Sequence, residues 1–467
     1  MHLLSRAPQG FWALLLCGGL LSGCASVPPV NALLNRVRAA PAPATVIGPR
    51  GPLSPAQTKA ILDRLEQQAQ GSDLLARHLA VEQALVRMPL IAGNRTTLLH
   101  DGPATFRAMF DAIRAAKHDV LLEYYIFEDV AIDGEKLGDL LAEKRREGVQ
   151  VAVIYDGFGS VDTPGTFFDQ LRQAGVALLE FHPLNPLDAR TGYAPNDRDH
   201  RKILVVDGST AIVGGVNLYT AYQPHPHNRL VASNGGNPNK WHDLDLEIEG
   251  PAARQLQQVF LDHWAAEQGP KLPPLGDLGP PQSMGNEVVR IIGSDHNDTI
   301  PRYDATLLSA IRSAGKTIWL TTAYFVPTKD EMHDLEAAAR RGVDVRLMLP
   351  GKSDSALALA VGHSDYGPLL KAGVKIYELQ DGLLHSKCAV IDDVWSTIGS
   401  SNFDHRSILF NDEVDAIVLG QATADQLEAQ FERDEAHARL VTLGAWEQRS
   451  LGERIREFYS RLLETLL

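Results

Sequence analysis

An 18-residue stretch that occurs twice constrains this chain more than any other feature. The pattern His-x-Lys-x4-Asp-x6-Gly-[Gly/Ser]-x-Asn fits residues 200–217 and again residues 385–402, with every matched position 185 residues apart. Two copies in register indicate an internal duplication. The matched positions are His200 and His385, Lys202 and Lys387, Asp207 and Asp392, Gly214 and Gly399, Gly215 and Ser400, and Asn217 and Asn402.

Helix and strand patterns alternate around both copies. Short runs rich in Val, Ile and Tyr separate amphipathic stretches, and Gly-Val-Gln-Val at 148–151 returns as Gly-Val-Asp-Val at 342–345. This alternation predicts an α/β fold with helices layered on a sheet. Because 467 residues exceed the usual size of a single hydrophobic core, we assign two lobes. The first lobe is placed at 71–267, a proline-rich linker at 268–286 and the second lobe at 287–467.

The first lobe is longer than the second near its copy of the pattern. About 13 extra residues fall within 183–199, and a polar segment rich in His, Asn, Gly and Pro follows at 222–240. Long loops beside a site form lids or substrate walls, and they also occur as surface decoration. The sequence leaves both interpretations open.

The first residues predict export and lipid attachment. Arg6 precedes an apolar run at 11–21 that suits the core of a signal peptide and is too short to span a bilayer. Leu-Ser-Gly-Cys then resembles a bacterial lipobox, so we expect 1–23 to be removed as a signal peptide and Cys24 to be acylated. The residues after Cys24 favour the outer over the inner membrane, with the protein facing the periplasm. An ordinary secretory signal with a chance cysteine is the alternative.

The segments at the two ends of the mature chain differ in pattern. The proline-rich residues 25–54 predict a tether without regular structure, followed by a helix from Ser54, and together they form a tether and N-terminal helix at 24–70. Residues 451–467 predict an amphipathic helix that packs on the second lobe rather than on a membrane. The apolar positions of this helix are Ile455, Phe458, Leu462, Leu463 and Leu466.

Charge and cysteine content narrow the partners and the chemistry. The formal net charge of -14 argues against nucleic acid as the main partner, because such binding usually rests on a basic surface. Once Cys17 has left with the signal and Cys24 is acylated, Cys388 is the remaining thiol. Its apolar neighbours indicate a small buried side chain rather than a nucleophile.

The repeated residue types fit the handling of an anionic phosphoryl group. Lysine supplies positive charge, asparagine supplies a directed donor, and histidine can attack phosphorus or carry a proton. Two copies facing each other place one histidine on each side of phosphorus. That arrangement suits a double displacement through a phosphohistidine, with the second histidine as acid and then base. The lysines and asparagines neutralise the developing charge, so we expect neither a metal nor a cofactor.

The side chains within each copy are predicted to divide between chemistry and structure. If the run from His200 is a strand, His200 and Lys202 point to one face and Asp207 to the other, and the same parity holds in the second copy. We therefore expect Asp207 and Asp392 to fix a turn or pair locally. Gly214 and Gly399 permit close approach of the backbone.

Each histidine needs a carboxylate on its second ring nitrogen to select the tautomer. Alignment of the strand ends at Gly250 and Gly420 places Asp243 and Glu413 at equivalent positions, seven residues upstream. Asp243 is the expected partner of His200. Surface acids are the simpler interpretation of any single carboxylate.

These residues resemble the phospholipase D superfamily, whose signature is a duplicated His-Lys-Asp motif, and more closely the bacterial cardiolipin synthases. The resemblance runs from about Met88 to the C-terminus. Matching segments are Glu-Tyr-Tyr-Ile-Phe at 123–127, Asp-Gly-Phe-Gly-Ser at 156–160, Ala-Tyr-Phe-Val-Pro at 323–327, Gly-Ser-Ser-Asn-Phe-Asp at 399–404 followed by Arg406 and Ser407, and Asn-Asp-Glu at 411–413.

The resemblance implies two α/β/α lobes related by a pseudo-twofold axis, with the active site between them. It also implies a phosphatidyl-histidine intermediate, with His200 as nucleophile and His385 as acid and base. Gly215 departs from the pattern, which often has serine there, and so removes a hydroxyl from the first half-site. The spanning N-terminal helices of some synthases are missing from this sequence.

The expected reaction joins two phosphatidylglycerols into cardiolipin and glycerol, with phosphatidylethanolamine as a second candidate substrate. The protein would meet the membrane surface through its lipid anchor. A phospholipase D that uses water as acceptor shares the first half-reaction. A superfamily nuclease or a non-catalytic envelope scaffold fits less well, given the acidic charge and two intact motifs.

Overall fold

Two lobes of mixed α/β structure make up the described part of the protein. The computed structural model describes residues 30–39, 43–69, 71–86, 88–185, 187, 193–223, 241–276 and 278–462. The predicted signal peptide at 1–23 and Cys24 lie outside the described residues. So do 224–240 of the second polar segment, as well as Leu463 and Leu466.

The regular elements follow the predicted alternation. The helices are α1 (Val30–Ala39), α2 (Pro55–Gln68), α3 (Leu74–Val86), α4 (Asp101–Ala115), α5 (Leu137–Arg146), α6 (Gly165–Gln173), α7 (Ala253–Ala266), α8 (Arg302–Ser313), α9 (Lys329–Arg340), α10 (Ala356–Ala372), α11 (His405–Leu409), α12 (Gln421–Glu435), α13 (Leu443–Glu447) and α14 (Leu451–Arg461). The strands are β1 (Val46–Gly48), β2 (Gly51–Pro52), β3 (Leu90–His100), β4 (Asp119–Tyr124), β5 (Ala131–Ile132), β6 (Glu135–Lys136), β7 (Gln150–Asp156), β8 (Ala177–Phe181), β9 (Arg198–Asp199), β10 (Lys202–Val206), β11 (Thr210–Gly214), β12 (Trp241–His242), β13 (Leu244–Glu249), β14 (Glu287–Ser294), β15 (Thr317–Thr321), β16 (Asp344–Pro350), β17 (Lys375–Leu379), β18 (Leu383–Leu384), β19 (Cys388–Ile391), β20 (Trp395–Gly399), β21 (Asn411–Leu419) and β22 (Ala438–Val441).

The sheets of the two lobes repeat one strand order. In the first lobe β8, β7 and β4 are parallel neighbours, and β10, β11, β13 and β3 continue the sheet in antiparallel pairs. In the second lobe β17, β16 and β15 are parallel, and β19, β20, β21 and β14 continue antiparallel. The duplicated motif therefore occupies equivalent strands, β10 to β11 and β19 to β20.

One long strand joins the two sheets. The first half of β3 pairs antiparallel with β14, and its second half pairs antiparallel with β13. Since β3 and β14 hold equivalent places in their lobes, their antiparallel pairing is the centre of a pseudo-twofold arrangement.

Apolar side chains of the described residues pack in three layers. The outer helices α4, α5 and α6 cover the first sheet, and α8, α9 and α10 cover the second. Between the sheets, Phe260 of α7 and Phe431 of α12 share one core with strands of both lobes. The lobes are therefore not independent hydrophobic units, because each sheet buries one face in this shared core.

The prediction that 25–54 forms an unstructured tether is wrong for its later part. Val30, Leu34 and Val46 are buried in the core of the second lobe, as parts of α1 and β1. Val30, Leu33, Leu34 and Val37 lie three or four residues apart and form one apolar helix face. The prolines that suggested a tether lie outside α1.

The assignment of 71–267 to the first lobe is wrong at its beginning. Helix α3 packs against α8, and Leu74, Leu79 and Leu85 belong to the core of the second lobe. Chain order could not reveal this, because β3 returns the chain from the second lobe to the first.

The C-terminal helix α14 lies against α10 of the second lobe. Its contact face is not the apolar one, since Ile455 and Leu462 are exposed while Glu457 and Ser460 are buried. The side chain of Phe458 lies outside the described part. Within the described ranges, no helix combines the length and apolar character needed to cross a bilayer.

Candidate active site

Two short interlobe strand pairs bring the motifs together. Strand β9, immediately before His200, pairs in parallel with residues 411–412 of β21. Strand β18, immediately before His385, pairs in parallel with β12. The backbone N–H of His200 donates to Asp412 O at 2.9 Å, and that of His385 donates to His242 O at 2.7 Å. This register sets each histidine beside the carboxylate that follows the paired residues of the other lobe, Glu413 after 411–412 and Asp243 after 241–242.

His200 is held by the second lobe. Its Nδ1 lies 3.0 Å from Oε2 and 3.1 Å from Oε1 of Glu413. Since Nδ1 faces this carboxylate, the Nδ1–H tautomer is favoured and Nε2 keeps its lone pair.

His385 is held by the first lobe. Its Nδ1 lies 2.7 Å from Asp243 Oδ2. The prediction that Asp243 orients His200 is therefore wrong, and the two carboxylates are exchanged between the lobes. Equivalent positions in a duplicated sequence fit either pairing, and the parallel registers of β9 and β18 decide between them.

The two carboxylates receive different supporting donors. Ser400 Oγ donates to Glu413 Oε2 at 2.5 Å, while Ser407 Oγ and Asn411 Nδ2 donate to Oε1 at 2.8 and 3.1 Å. In the first lobe, Gly215 replaces the serine. A Cβ at that position would collide with Asp243 Oδ1.

Tyr222 supplies the hydroxyl that Gly215 lacks. Its OH donates to Asp243 Oδ2 at 2.7 Å and lies 3.1 Å from His385 Nδ1. Trp241 lies edge-on to His385, with ring centroids 5.5 Å apart. These two aromatic residues flank the part of the polar segment that lies outside the described residues.

The motif lysines lie behind the histidines. Lys202 Nζ donates to His200 O at 2.6 Å, and Lys387 Nζ donates to His385 O. Strands β10 and β19 begin at Lys202 and Cys388, so the prediction of a continuous strand from each histidine is wrong at its start. The residues before these strands pair with the other lobe instead.

The motif aspartates are remote from the histidines and fix a neighbouring turn. Asp207 accepts backbone N–H groups of Lys117, His118 and Asp119 at 2.8 to 2.9 Å. Asp392 accepts those of Gly315, Lys316 and Thr317 over the same range. Each carboxylate thus ties the end of one motif strand to the start of the adjacent strand, β4 or β15.

The motif glycines allow close packing beneath the site. A Cβ on Gly214 would collide with Asp245 Oδ1, and one on Gly399 would collide with Asp415 Oδ1. Burial raises the pKa of Asp245 to about 8 and that of Asp415 well above its usual value. The carboxyl group of Asp245 is therefore largely neutral near pH 7 and adds little negative charge.

Both histidines open onto one cleft between the lobes, with a cavity volume of about 340 Å³. The cleft is also lined by Asn217, Asn402, Arg198, Arg406, Tyr125 and Trp241. Asn217 Oδ1 accepts the backbone N–H of Ile126 at 3.2 Å, which leaves its amide N–H groups for the cleft. Arg198 and Arg406 thus place positive charge in this cleft, although the net charge of the protein is -14.

The pKa values of the histidines differ. Burial lowers the pKa of His200 well below 6.5, and the charges of Lys202 and Lys387 lower it further. Burial and Lys387 also lower the pKa of His385, but the Asp243 carboxylate opposes that shift. Both imidazoles are therefore biased toward the neutral form, His200 more strongly, and the Asp243 carboxylate makes His385 the better proton carrier of the two.

The two carboxylates that hold the histidines also differ in pKa, which is lowered for Asp243 and raised for Glu413. Burial acts to raise the pKa of Asp243, but His385, Lys387 and the Tyr222 hydroxyl together outweigh burial, and the pKa lies below 3.8. Burial raises the pKa of Glu413 to about 7, against the opposing charge of Lys202 and the three donors. Asp243 is therefore more fully ionised than Glu413, so the carboxylate beside His385 carries the greater negative charge.

Burial also lowers the pKa of Lys202 to about 7 and lowers that of Lys387. An anionic substrate in the cleft opposes this shift, because opposite charge favours the ammonium form. The lysines therefore gain positive charge as an anion binds.

Two carboxylate-histidine clusters lie near the cleft within the described ranges. They are Glu123, Asp199 and His263, and Asp295, His296 and Asp412. Glu123 Oε1 is 3.2 Å from the guanidinium of Arg201 and 2.8 Å from His263 Nδ1. Because Glu123 already pairs with Arg201 and His263, a metal ion is disfavoured at the first cluster.

Sequence reasoning missed several residues that complete the cleft. Ser407 and Asn411 were part of the motif resemblance but were not assigned to the site. Tyr222 could have been suspected from Gly215, because a missing hydroxyl in one half-site calls for a replacement. Arg406 was likewise part of the resemblance without being assigned to the site, whereas Trp241 and Arg198 carry no signal in the duplicated pattern.

Comparison with known proteins identifies the relatives of this chain. The family model described as "Cardiolipin synthase, PLD-like domain" matches residues 109–264 and 307–435. Cardiolipin synthase 1 of Bacillus cereus is 35% identical over 391 residues, covering 80% of this chain and 74% of that protein. Cardiolipin synthase A of Pseudomonas entomophila is 36% identical over 389 residues, covering 81% and 77%.

A solved structure shares the fold. The crystal structure of phosphatidylserine synthase from Haemophilus influenzae Rd KW20 superposes with a TM-score of 0.60, covering 83% of this chain and 99% of that one. At 13% sequence identity this likeness concerns the fold alone.

Proposed function

Because this chain belongs to the cardiolipin synthase family of phospholipase D-like phosphatidyltransferases, we propose that it joins two phosphatidylglycerol molecules into cardiolipin and releases glycerol. The observation that carries the proposal is the pair of histidines in one cleft, each fixed through Nδ1 by a carboxylate of the opposite lobe. Such a pair serves a transfer in two displacements, with one histidine on either side of phosphorus.

In the first displacement, His200 acts as the nucleophile. Its Nε2 lone pair attacks phosphorus, and the bond from phosphorus to the headgroup glycerol oxygen breaks. His385 gives its proton to that oxygen, so glycerol leaves as a neutral alcohol. The depressed pKa of His200 and the anionic Asp243 beside His385 favour this division of roles.

In the second displacement, the headgroup hydroxyl of another phosphatidylglycerol attacks the phosphatidyl-histidine. His385 takes the hydroxyl proton, the phosphorus–nitrogen bond breaks, and cardiolipin forms while His200 becomes free. One phosphodiester bond is broken for each one that is formed, so the reaction needs no nucleotide.

The positive groups of the cleft stabilise phosphorus during both steps. Lys202 and Lys387 supply charge, and Asn217 and Asn402 face the same cavity. The lysine pKa values rise toward ordinary values when the phosphodiester binds, so the ammonium charge is strongest where it is used.

A product measurement tests the function. Purified protein is incubated with vesicles of phosphatidylglycerol, with or without phosphatidylethanolamine, and lipids and free glycerol are quantified. We expect cardiolipin and glycerol in equal amounts, and loss of at least about 1,000-fold in rate for His200→Ala, as for loss of a nucleophile. Phosphatidic acid in place of cardiolipin would show a hydrolase instead, and no turnover by the wild type would refute both.

We extend the proposal to location. The Leu-Ser-Gly-Cys sequence supports acylation at Cys24 and attachment to the outer membrane on its periplasmic side. Metabolic labelling with a palmitate analogue tests this. Label on the wild type and none on Cys24→Ser is expected, whereas equal labelling of both would contradict acylation at this residue.

A further inference from the structure

Helix α14 shows an inverted amphipathic arrangement. Leu451, Ile455 and Leu462 are 72%, 49% and 67% exposed, and Tyr459 on the same face is 63% exposed. Their spacing of three to four residues gives one continuous apolar stripe. The opposite face bears Glu457 and Ser460, which are buried against the second lobe.

Polar contacts fix this orientation. The carboxylate of Glu457 binds the guanidinium of Arg449, with Oε2 2.8 Å from Nη2. Arg461 lies 3.5 Å from Asp365 of α10. A capping box at Ser450 and Glu453 begins the helix. The helix is therefore held by its polar side, and the apolar stripe faces outward.

Arginines border the stripe on both sides. At 100° per residue, Arg454 and Arg456 lie on opposite flanks of the line through Leu451 and Ile455, and both are exposed. Arg449 and Arg461 pair with Glu457 and Asp365 on the polar side, so Arg454 and Arg456 supply the positive charge beside the stripe, in a protein of net charge -14. An apolar stripe between cationic flanks matches an anionic lipid surface, where the apolar side chains enter the headgroup boundary and the arginines meet phosphates.

A second copy of the protein fits this stripe less well. Stable protein interfaces bury roughly 800 Å² per partner and use about 20 to 30 residues on each side. Four side chains on an isolated convex helix fall far short of that. A bilayer needs no shape complementarity, so a short stripe suffices.

We infer that α14 is a docking helix that lies in the plane of an anionic phospholipid surface. Helix α10, which carries α14, begins at the cleft, where Ser355 and Ala358 form part of the wall. Docking through α14 therefore holds the cleft at a fixed orientation to the membrane. The inference concerns binding and stands whether or not the proposed reaction is correct.

A fluorescent label on the stripe tests the inference in the full chain. Cys17, Cys24 and Cys388 are replaced by Ser, Ser and Ala, and an environment-sensitive dye is attached after Ile455→Cys. Vesicles of phosphatidylcholine alone, or of phosphatidylcholine mixed with phosphatidylglycerol, are then added. We expect a blue shift and quenching by brominated acyl chains with the anionic vesicles, at about tenfold less lipid than with the neutral ones.

Matched variants separate docking from other attachment. The same dye after Glu143→Cys, an exposed position on α5 of the other lobe, is expected to stay in water. Arg454→Gln with Arg456→Gln is expected to raise the lipid concentration needed for the shift at position 455 about tenfold or more.

Three outcomes would overturn the inference. One is an unchanged dye at position 455 in the presence of anionic vesicles, and another is an equal shift at positions 455 and 143. The third is a shift that follows protein concentration without vesicles, together with a dimer in sedimentation that Ile455→Glu abolishes. That last result would assign the stripe to self-association.

Discussion

At the scale of single residues, the two half-sites reach one arrangement with different side chains. The second lobe uses a glutamate supported by Ser400, and the first uses the shorter Asp243 supported by Tyr222. Gly215 is needed because Asp243 occupies the space that a side chain at 215 would fill. The Tyr222 hydroxyl helps to keep the carboxylate beside His385 ionised.

Removal of the Tyr222 hydroxyl tests its role as a positioning residue. Tyr222→Phe keeps the buried ring but takes a hydrogen bond from an ionised carboxylate, which is worth about 1.5 to 3 kcal/mol. We expect kcat to fall about tenfold or more with little change in KM. The pKa of Asp243 should also rise, because the hydroxyl helps to hold it low.

The measurement is a pH profile of kcat for the purified variant, beside Ser400→Ala as the matched change in the other half-site. A purely structural role for Tyr222 would lower the amount of folded enzyme and leave the profile unmoved. Wild-type kcat and profile in Tyr222→Phe would contradict the assignment.

The charge of Lys202 is predicted to set the acid limit of the reaction. His200 must be neutral to attack, and its lowered pKa keeps it neutral until the pH falls well below 6.5. Activity, measured as kcat/KM, should therefore persist through pH 6.5 and decline only at lower pH. Lys202→Met removes a positive neighbour, so the pKa of His200 rises and the acid limb moves to higher pH.

The pH dependence of kcat/KM for the residual activity of Lys202→Met measures this shift. Lys136→Met, at an exposed lysine on β6, is the control and should leave the limb in place. A limb that stays fixed or moves to lower pH in Lys202→Met would contradict the electrostatic account.

At the scale of elements, the pattern shared by the two copies contains both reacting residues and residues that hold the strands together. Asp207 and Asp392 adopt φ angles of 49° and 51°, in the left-handed region that Asp tolerates better than most residues. Their carboxylates join each motif strand to the turn before β4 or β15. The aspartate of the signature is thus a folding residue.

Asp392→Ala is predicted to destabilise the protein without removing a reacting group. Three backbone N–H groups lose a charged acceptor, so we expect a loss of about 2 to 4 kcal/mol in the free energy of unfolding. Urea unfolding followed by circular dichroism measures the loss, and kcat per folded molecule should change less than threefold. A stable variant with greatly reduced kcat would instead place Asp392 in the chemistry.

Most elements could be predicted because their patterns are local. The helices after Ser54 and near 104–116, and the strands near 120 and 150, follow from apolar period and flanking glycines. The apolar run of strand β3 is interrupted by Gly93, Asn94 and two threonines, so a local pattern does not reveal this strand. Helix α1 was missed because nearby prolines concealed a regular apolar face.

At the scale of the whole molecule, the site exists only between the lobes. Each histidine takes its carboxylate from the opposite lobe, through the short parallel pairs of β9 with β21 and β12 with β18. The duplication predicted that histidine, lysine and asparagine would converge, and both histidines and both asparagines of the motif line the cleft. The exchange of Asp243 and Glu413 could not be predicted, since pseudo-symmetric sequences fit both pairings equally.

The different roles of the two histidines lead to a further prediction. His200 forms the covalent bond, while His385 moves protons for the alcohol that leaves and the alcohol that enters. A substrate with p-nitrophenol as leaving group needs no proton to depart. His385→Ala should therefore still form the phosphatidyl-enzyme from that substrate and then accumulate it, because no base activates the acceptor hydroxyl.

Identification of the phosphatidylated residue shows which histidine is the nucleophile. Wild type, His200→Ala and His385→Ala are mixed with a phosphatidyl-p-nitrophenol, quenched under alkaline denaturing conditions, digested and analysed by mass spectrometry. We expect phosphatidyl on His200 in His385→Ala, in greater amount than in the wild type, and none in His200→Ala. Phosphatidyl on His385, or adduct that persists in His200→Ala, would contradict the assignment of His200 as nucleophile.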